Sequence, residues 1–440
     1  MATPSSRSNV EPFHVMEVLA AASERQRTHG DAILLCAGQP STPAPRAVRE
    51  AAVSAIEGEL LGYTEATGIL PLRQAIADHQ REWYDVEVDP ADVVVMTGSS
   101  GAFTSLFLAA FEAGDRVAMT RPGYPAYRNT LAALGCEVIE LDCGPETRYQ
   151  PTVAMLEALP EPPKGLIVAS PANPTGTVID ADELAAIARW CEEAGCLLVS
   201  DEIYHGVTYG RPVASAWQTS REAVVVGSVS KYFSMTGWRL GWTIVPEWLR
   251  RPMEILTGNL NICPPAITQY AALAAFSPEA KRELDGHVAR YAENRDLLLR
   301  RLPELGLGSF APPDGAFYAW CDISHLTDDS LRWCQEVLAA MTIDSGVSLS
   351  ELRVDGGMSH NDLLMQFQAD LLGVDLVRPA VTETTALGAA FAAGIVSGVW
   401  SGEDEVASLW AEERRWHPRI DDAERRRLAA RWAEAVERSL

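Results

Sequence analysis

The stretch SVSKYFSMTGWRLG, residues 228–241, places a lysine at 231, one serine beyond the apolar run AVVVGSV (223–229). Lysine is scarce in this chain. Of 36 basic residues only three are lysines, Lys164, Lys231 and Lys281. Lys164 sits in EPPKGL, a proline-rich turn, and Lys281 in PEAKRELDG, a charged segment that reads as an exposed helix. Lys231 instead enters or borders the core, where burial disfavours the ammonium form and leaves an amine able to act as nucleophile or base.

The surroundings of Lys231 set the fold class. DVVVMT (92–97), DRVAMT (115–120), CEVIEL (136–141), GLIVAS (165–170), CLLVS (196–200), AVVVGSV and GWTIVP (241–246) read as strands. Amphipathic segments such as AFTSLFLAAFEAG and DADELAAIARWCEEAG lie between them and read as helices, the second with an Asp at its start and a Gly at its stop. Alternation of strands and helices, with strands apolar throughout, implies an α/β domain whose mainly parallel sheet is covered on both faces. Ligands in such folds bind at the carboxyl ends of the strands. Residues 10–35 read as a helix and a short strand, ILLCAG. Residues 278–302 read as a long helix, followed by the turn and strand of GSFAPPDGAFYAW. These flanks suggest a second, smaller lobe.

Composition narrows the function class. Among 440 residues 47% are hydrophobic and 22% charged, ordinary for a globular protein, and the formal net charge is −24. That acidity argues against nucleic acid and anionic membranes as partners. No apolar stretch is long enough to span a bilayer, and no apolar leader is seen. Eight scattered cysteines with no CxxC pair, and eight histidines without ligand spacing, point to a cytoplasmic protein without a metal.

The residues that follow the strands are the informative ones. Ser99, Ser100, Gly101 and Ala102 open a helix after DVVVMT, where small residues expose N–H groups to an anion; an ordinary helix cap explains them as well. PANPTG places Asn173 between two prolines, which a rigid turn also explains. Asp201 of DEIYHG ends CLLVS, where it either caps the next segment or faces a ligand. Ser228, Ser230 and Lys231 follow AVVVGSV, with Arg239 eight residues beyond Lys231. Jointly they meet the needs of pyridoxal 5′-phosphate (PLP). That cofactor needs a Schiff-base lysine, a carboxylate at the pyridine nitrogen, a stacking aromatic, and hydroxyls with an arginine for the phosphate.

SVSKYFSMTGWRLG resembles the lysine motif of the fold-type I PLP enzymes, specifically the class I aminotransferases, and the resemblance covers about residues 10–335. It implies a PLP-transferase-like three-layer αβα large domain and amino transfer between an amino acid and a 2-oxo acid. Lys231 is then the Schiff-base lysine and proton carrier, and Asp201 the partner of the pyridine nitrogen. Asn173 and Tyr204 stand at the ring oxygen, with Tyr124 of RPGYPAY stacked on the ring. Ser100, Gly101, Ala102, Ser228, Ser230 and Arg239 hold the phosphate. Tyr63 of GYTEATG resembles the tyrosine that reaches the neighbouring subunit's phosphate, implying a homodimer. Gly38 of CAGQP, with Asn173, resembles the contact to the substrate carboxylate.

The resemblance stops near DDSLRWCQEVL (328–338). No Pro-Gly turn follows, and Arg353, Arg378 and Arg419 lack the context of the family's carboxylate-gripping arginine. LRVDGGMSHNDLLMQFQADLLG (352–373) and VRPAVTETTALGAAFAAGIVSGVW (377–400) resemble instead the C-terminal end of FGGY-family glycerol kinases. That resemblance implies a C-terminal half of an actin-like (ribonuclease-H-like) domain, some two strands and four helices, with Gly357 and Asn361 as nucleotide contacts. A plain glycine turn explains Gly357 equally well. The expected organisation is an arm over 1–45, a large PLP domain over 46–290, a truncated small domain over 291–335 and the kinase-like fragment over 336–440. An aminotransferase with activity impaired by the replaced end is the leading expectation. The alternatives are a PLP-dependent β-lyase and a glycerol-kinase-related chimera that binds nucleotide or is inactive.

Overall fold

The computed structural model describes residues 38–330 continuously, parts of 5–26, and from 331 onward chiefly 351–353, 375–379 and 412–421. All seven expected strands form. They are β1 (Val93–Met96), β2 (Arg116–Arg121), β3 (Glu137–Asp142), β4 (Gly165–Ala169), β5 (Leu197–Asp201), β6 (Val224–Ser228) and β7 (Gly241–Ile244). They build one sheet of order β1-β7-β6-β5-β4-β2-β3, in which β7 alone runs antiparallel to its neighbours. The other six strands therefore end on the same edge.

The sheet is dry on both faces because its strands carry apolar side chains at nearly every position. Val93, Val95, Leu166, Val168, Leu198 and Val225 pack into one core, and Val94, Met96, Ile167, Val199, Val224 and Val226 into the other. Such two-sided burial is what continuous valine runs demand.

The helices in chain order are α1 (Arg46–Gly58), α2 (Leu70–Tyr84), α3 (Gly98–Ala110), α4 (Pro125–Leu134), α5 (Val153–Glu157), α6 (Ala181–Ala194), α7 (Glu247–Asn261), α8 (Ala266–Leu273) and α9 (Pro278–Arg301). Helix α6 ends on Gly195 at φ +66°, as its sequence required. Asp180 at its start makes no cap bond and pairs with Arg211 instead. Lys281 on α9 departs from the expectation of exposure: its side chain is 16% exposed and its ammonium pairs with Glu82 of α2. GSFAPPDGAFYAW forms single bridges, Thr208 with Gly315 and Phe310 with Cys321, rather than the expected strand. Of ILLCAG only Gly38 lies within the described residues.

The chain divides into two compact units, residues 1–325 and 326–440. The second contains β8 (Glu351–Arg353), β9 (Asp375–Pro379) and β10 (Glu412–Trp416), in the order β10-β9-β8, with β8 parallel and β10 antiparallel to β9. The sequence reading expected two strands there; EERRW makes a third. Gly357 and Asn361 lie outside the described residues.

Candidate active site

The carboxyl ends of β1, β2, β4, β5 and β6 bring five segments together. Strand β6 ends at Ser228, and the chain turns through Val229 and Ser230 into Lys231. The turn is held by its own hydroxyls. Ser228 Oγ donates to Ser230 Oγ at 2.8 Å, the Ser230 N–H donates to Ser228 Oγ at 3.0 Å, and Thr236 Oγ1 donates to the Ser230 carbonyl at 2.8 Å. Lys231 Nζ donates to the Gly38 carbonyl at 2.6 Å and lies 5.3 Å from the centre of the Tyr204 ring. Burial lowers the ammonium pKa to about 8; Asp201 opposes the shift and Arg239 adds to it.

Asp201 ends β5 and is 3% exposed. Its carboxylate accepts from the Tyr127 hydroxyl and, at 3.1 Å, from the Ile203 N–H. Burial pushes its pKa up to about 6, against the pull of those two donors and of Lys231. Tyr204 is buried, and its hydroxyl is bonded to that of Tyr318. Burial raises both phenols, Tyr318 to about 12, so both stay protonated at neutral pH. Tyr124 starts α4, half-buried, with its ring edge-on to Tyr127 at 5.2 Å. Asn173 is half-buried in the turn after β4.

The fifth segment is the start of α3. Thr97 at its cap makes no side-chain bond to the helix, so the first-turn N–H groups point outward unpaired by it. Ser100 and Gly101 lie in this turn, while the Ala102 side chain is buried in the core beneath. The Arg239 guanidinium crosses this helix start. A Cβ at Gly98, where φ is +71°, would stand 2.4 Å from Arg239 Nη2, and one at Gly241 would stand 2.6 Å from the Ser99 nitrogen. Two glycines thus let an arginine and a helix N-terminus face the same space, an anion cradle.

These donors suit PLP: an amine with a depressed pKa, a buried carboxylate, and a cationic cradle beside the Ser228–Ser230 turn. Sequence reasoning missed Tyr127 and Tyr318. Both were visible in RPGYPAY and DGAFYAW, but only folding shows that they meet Asp201 and Tyr204. Tyr63 is 84% exposed and joins none of these contacts. Among the described residues no His, Cys, Asp or Glu cluster could hold a metal. No helix among them is long and apolar enough to cross a membrane. In the second unit, Arg378 is committed to Glu413 by two bonds of 2.8 and 3.0 Å and lies 5.3 Å from the Trp416 ring centre. The Arg419 N–H donates to Asp370.

The sequence pattern of the family "Aminotransferase class I and II" matches residues 30–353. That of the C-terminal domain of the FGGY family of carbohydrate kinases matches residues 330–397. The valine–pyruvate aminotransferase of Mycobacterium tuberculosis is 57% identical over 347 residues, 78% of this chain and 88% of that protein. The aspartate/prephenate aminotransferase of Thermus thermophilus is 32% identical over 75% of this chain and 87% of its own length. Two crystal structures agree. An aminotransferase from Mycobacterium tuberculosis superposes with a TM-score of 0.75 at 56% identity, over 77% of this chain and 88% of that one. The Thermus thermophilus aspartate aminotransferase with maleate superposes with 0.74 at 32% identity, over 77% and 90%. The chain belongs to the class I and II aminotransferases, the fold-type I enzymes that use pyridoxal phosphate to move an amino group between an amino acid and a 2-oxo acid.

Proposed function

We propose that Lys231 holds the cofactor and carries the proton of the transfer, with valine and pyruvate, the pair in the name of the Mycobacterium tuberculosis relative, as its first candidate substrates. The observation that carries this is the Lys231 amine, part-buried, bonded to the Gly38 carbonyl and electrostatically coupled to Asp201. When bound, the cofactor supplies an electron sink for the substrate α-carbon. Asp201 keeps the ring nitrogen charged, Asn173 and Tyr204 donate to the ring oxygen, and Tyr124 stacks on the ring. Ser100, Gly101, Ala102, Ser228, Ser230 and Arg239 take the phosphate. Gly38 and Asn173 line the substrate carboxylate. The test is whether valine converts the bound cofactor to its amine form and pyruvate converts it back.

The cradle is open to a direct check. Gly98→Ala forces a side chain into the left-handed region, at about 1–2 kcal/mol, and drives Arg239 aside. PLP affinity, followed by fluorescence titration, should fall about 5- to 30-fold. An unchanged affinity would remove the phosphate role of Arg239.

Tyr63 is assigned across a homodimer interface. Exposed Val53, Ile56 and Leu60 accompany it on the same part of the chain. Sedimentation should give a dimer, and Tyr63→Ala should weaken PLP binding without dissociating it; a monomer would sink both statements. We place the protein in the cytoplasm, its domain limits near 45, 290 and 335, and its tail as a kinase-derived half-domain joined to a truncated small domain. The overlap of the two family patterns over 330–353 supports that join. Such a tail leaves the family's carboxylate-gripping arginine unreplaced, since Arg378 is already paired. Amino acids should therefore bind weakly. Gly357 and Asn361 make ATP the ligand to try on the tail, and equilibrium dialysis without retention would remove that role.

A further inference from the structure

Behind Asp201, on the opposite face of the sheet, lies a polar chamber that shares only Ser228 with the residues assigned to the cofactor. It is lined by His79 and Gln80 of α2, Glu202 and His205 after β5, Ser228 at the end of β6, and Trp242 of β7. Five of these side chains are at least nine-tenths buried: His79 is 5% exposed, Gln80 3%, Glu202 6%, His205 7% and Trp242 4%. Four of them carry a polar atom with no hydrogen-bond partner: His79 Nδ1, Gln80 Oε1, Glu202 Oε2 and Trp242 Nε1. The fifth, His205, is bonded to the Tyr84 hydroxyl through Nδ1 and also meets the Ser170 backbone. So many orphaned atoms around one space are a departure from the rule that buried polar groups are paired.

Their remaining bonds show that the side chains are held in place rather than misplaced. Glu202 Oε1 accepts from Ser200 Oγ at 3.0 Å, Ser215 Oγ at 3.1 Å and the Ala216 N–H at 2.9 Å, which fixes Oε2 toward the chamber. His205 Nδ1 is bonded to the Tyr84 hydroxyl at 2.6 Å and lies 3.6 Å from Glu202 Oε2. The chamber offers the centre of a water-sized sphere about 20 Å³, and one water needs roughly 10–15 Å³.

We infer that this chamber is a built site for one internal water molecule. The chemistry of its walls selects that ligand over an ion. Gln80 Oε1 accepts, as does Glu202 Oε2 when ionised, which disfavours an anion; burial pushes the Glu202 pKa up to about 7. Trp242 Nε1 only donates, which disfavours a cation, and an imidazole nitrogen takes either part according to its tautomer. Water donates twice and accepts twice, and it fits the volume. It can receive from Trp242 and His79 while giving to Glu202 and Gln80. Glu202 and Ser228 lie at the ends of the same two strands that carry Asp201 and Lys231, so the water ties those strand ends together from behind.

The test is a crystal structure of the full chain, loaded with PLP and refined with ordered solvent, beside the same structure of Trp242→Phe. In the unaltered protein the inference expects one peak within hydrogen-bond distance of Glu202 Oε2, Trp242 Nε1 and at least one of His79 Nδ1 and Gln80 Oε1. In Trp242→Phe the peak should be lost or displaced toward Glu202. Side chains paired directly with one another around a dry space, or a peak with the short, many-oxygen contacts of a metal ion, would overturn it. The solvent peak is read independently of cofactor occupancy, so its failure is distinct from a failure of the cofactor assignment.

Discussion

Replacing Lys231 by alanine is expected to abolish covalent capture of PLP and to lower transamination by at least about 10²–10⁴-fold, the range supplied by a positioned acid–base group. The expectation rests on protonation state as well as position. With its pKa lowered to about 8 by burial, roughly a tenth of the Lys231 amines are neutral at pH 7, against roughly one in three thousand for an unshifted lysine. Only the neutral amine attacks, so the capture rate of the unaltered protein should rise with pH through a midpoint near 8. A midpoint near the ordinary lysine value would mean that the lysine is not buried in solution. Capture that survives in Lys231→Ala would place the attachment at another amine, Lys164, Lys281 or the α-amino group.

Asp201→Asn is the second large expected effect, and it separates activity from stability. The amide keeps the shape of the carboxylate and can still meet Tyr127 and the Ile203 N–H. What it loses is the charge, and truncating one partner of a buried charge pair between a protein and what it binds costs about 2–5 kcal/mol of that interaction. Turnover should therefore fall on the order of 10²–10⁴-fold. Stability should not fall with it. A carboxyl raised from 3.8 to about 6 by burial holds its proton more tightly when folded. Its contribution to stability therefore declines as pH rises from about 4 to 6, a penalty that Asn does not incur. Lost turnover with an unchanged melting temperature at pH 7 supports the assignment. Turnover kept within a few-fold, or a collapsed melting temperature, contradicts it.

Much of the large domain was legible in the sequence because its chemistry is local. Valine runs such as VVVM and VVVGS can be satisfied only by a strand buried on both faces. The residue after each run then falls at a strand end whatever the helices do. Lys231 stood out for the same reason, as a costly group in the turn that follows a core strand. What the sequence hid depends on contacts between distant segments. Tyr318 reaches Tyr204 across 114 positions and Tyr127 reaches Asp201 across 74. No periodicity encodes such meetings. The chamber around Glu202 was missed because strand alternation sends Glu202 to the face opposite Asp201, where DEIYHG gives no sign of partners on α2 and β7. In the tail, the charged EERRW carries a buried Trp416, and the guanidinium groups of Arg378 and Arg414 approach its ring.

The most direct measurement of the central claim is the visible absorption spectrum of the full chain with PLP, before and after valine and then pyruvate, with Lys231→Ala alongside. The account predicts a band that requires Lys231, shifts when valine is supplied at high concentration, and returns with pyruvate. A Lys231-dependent band that no amino acid moves would contradict it, leaving a protein that holds the cofactor without performing the transfer.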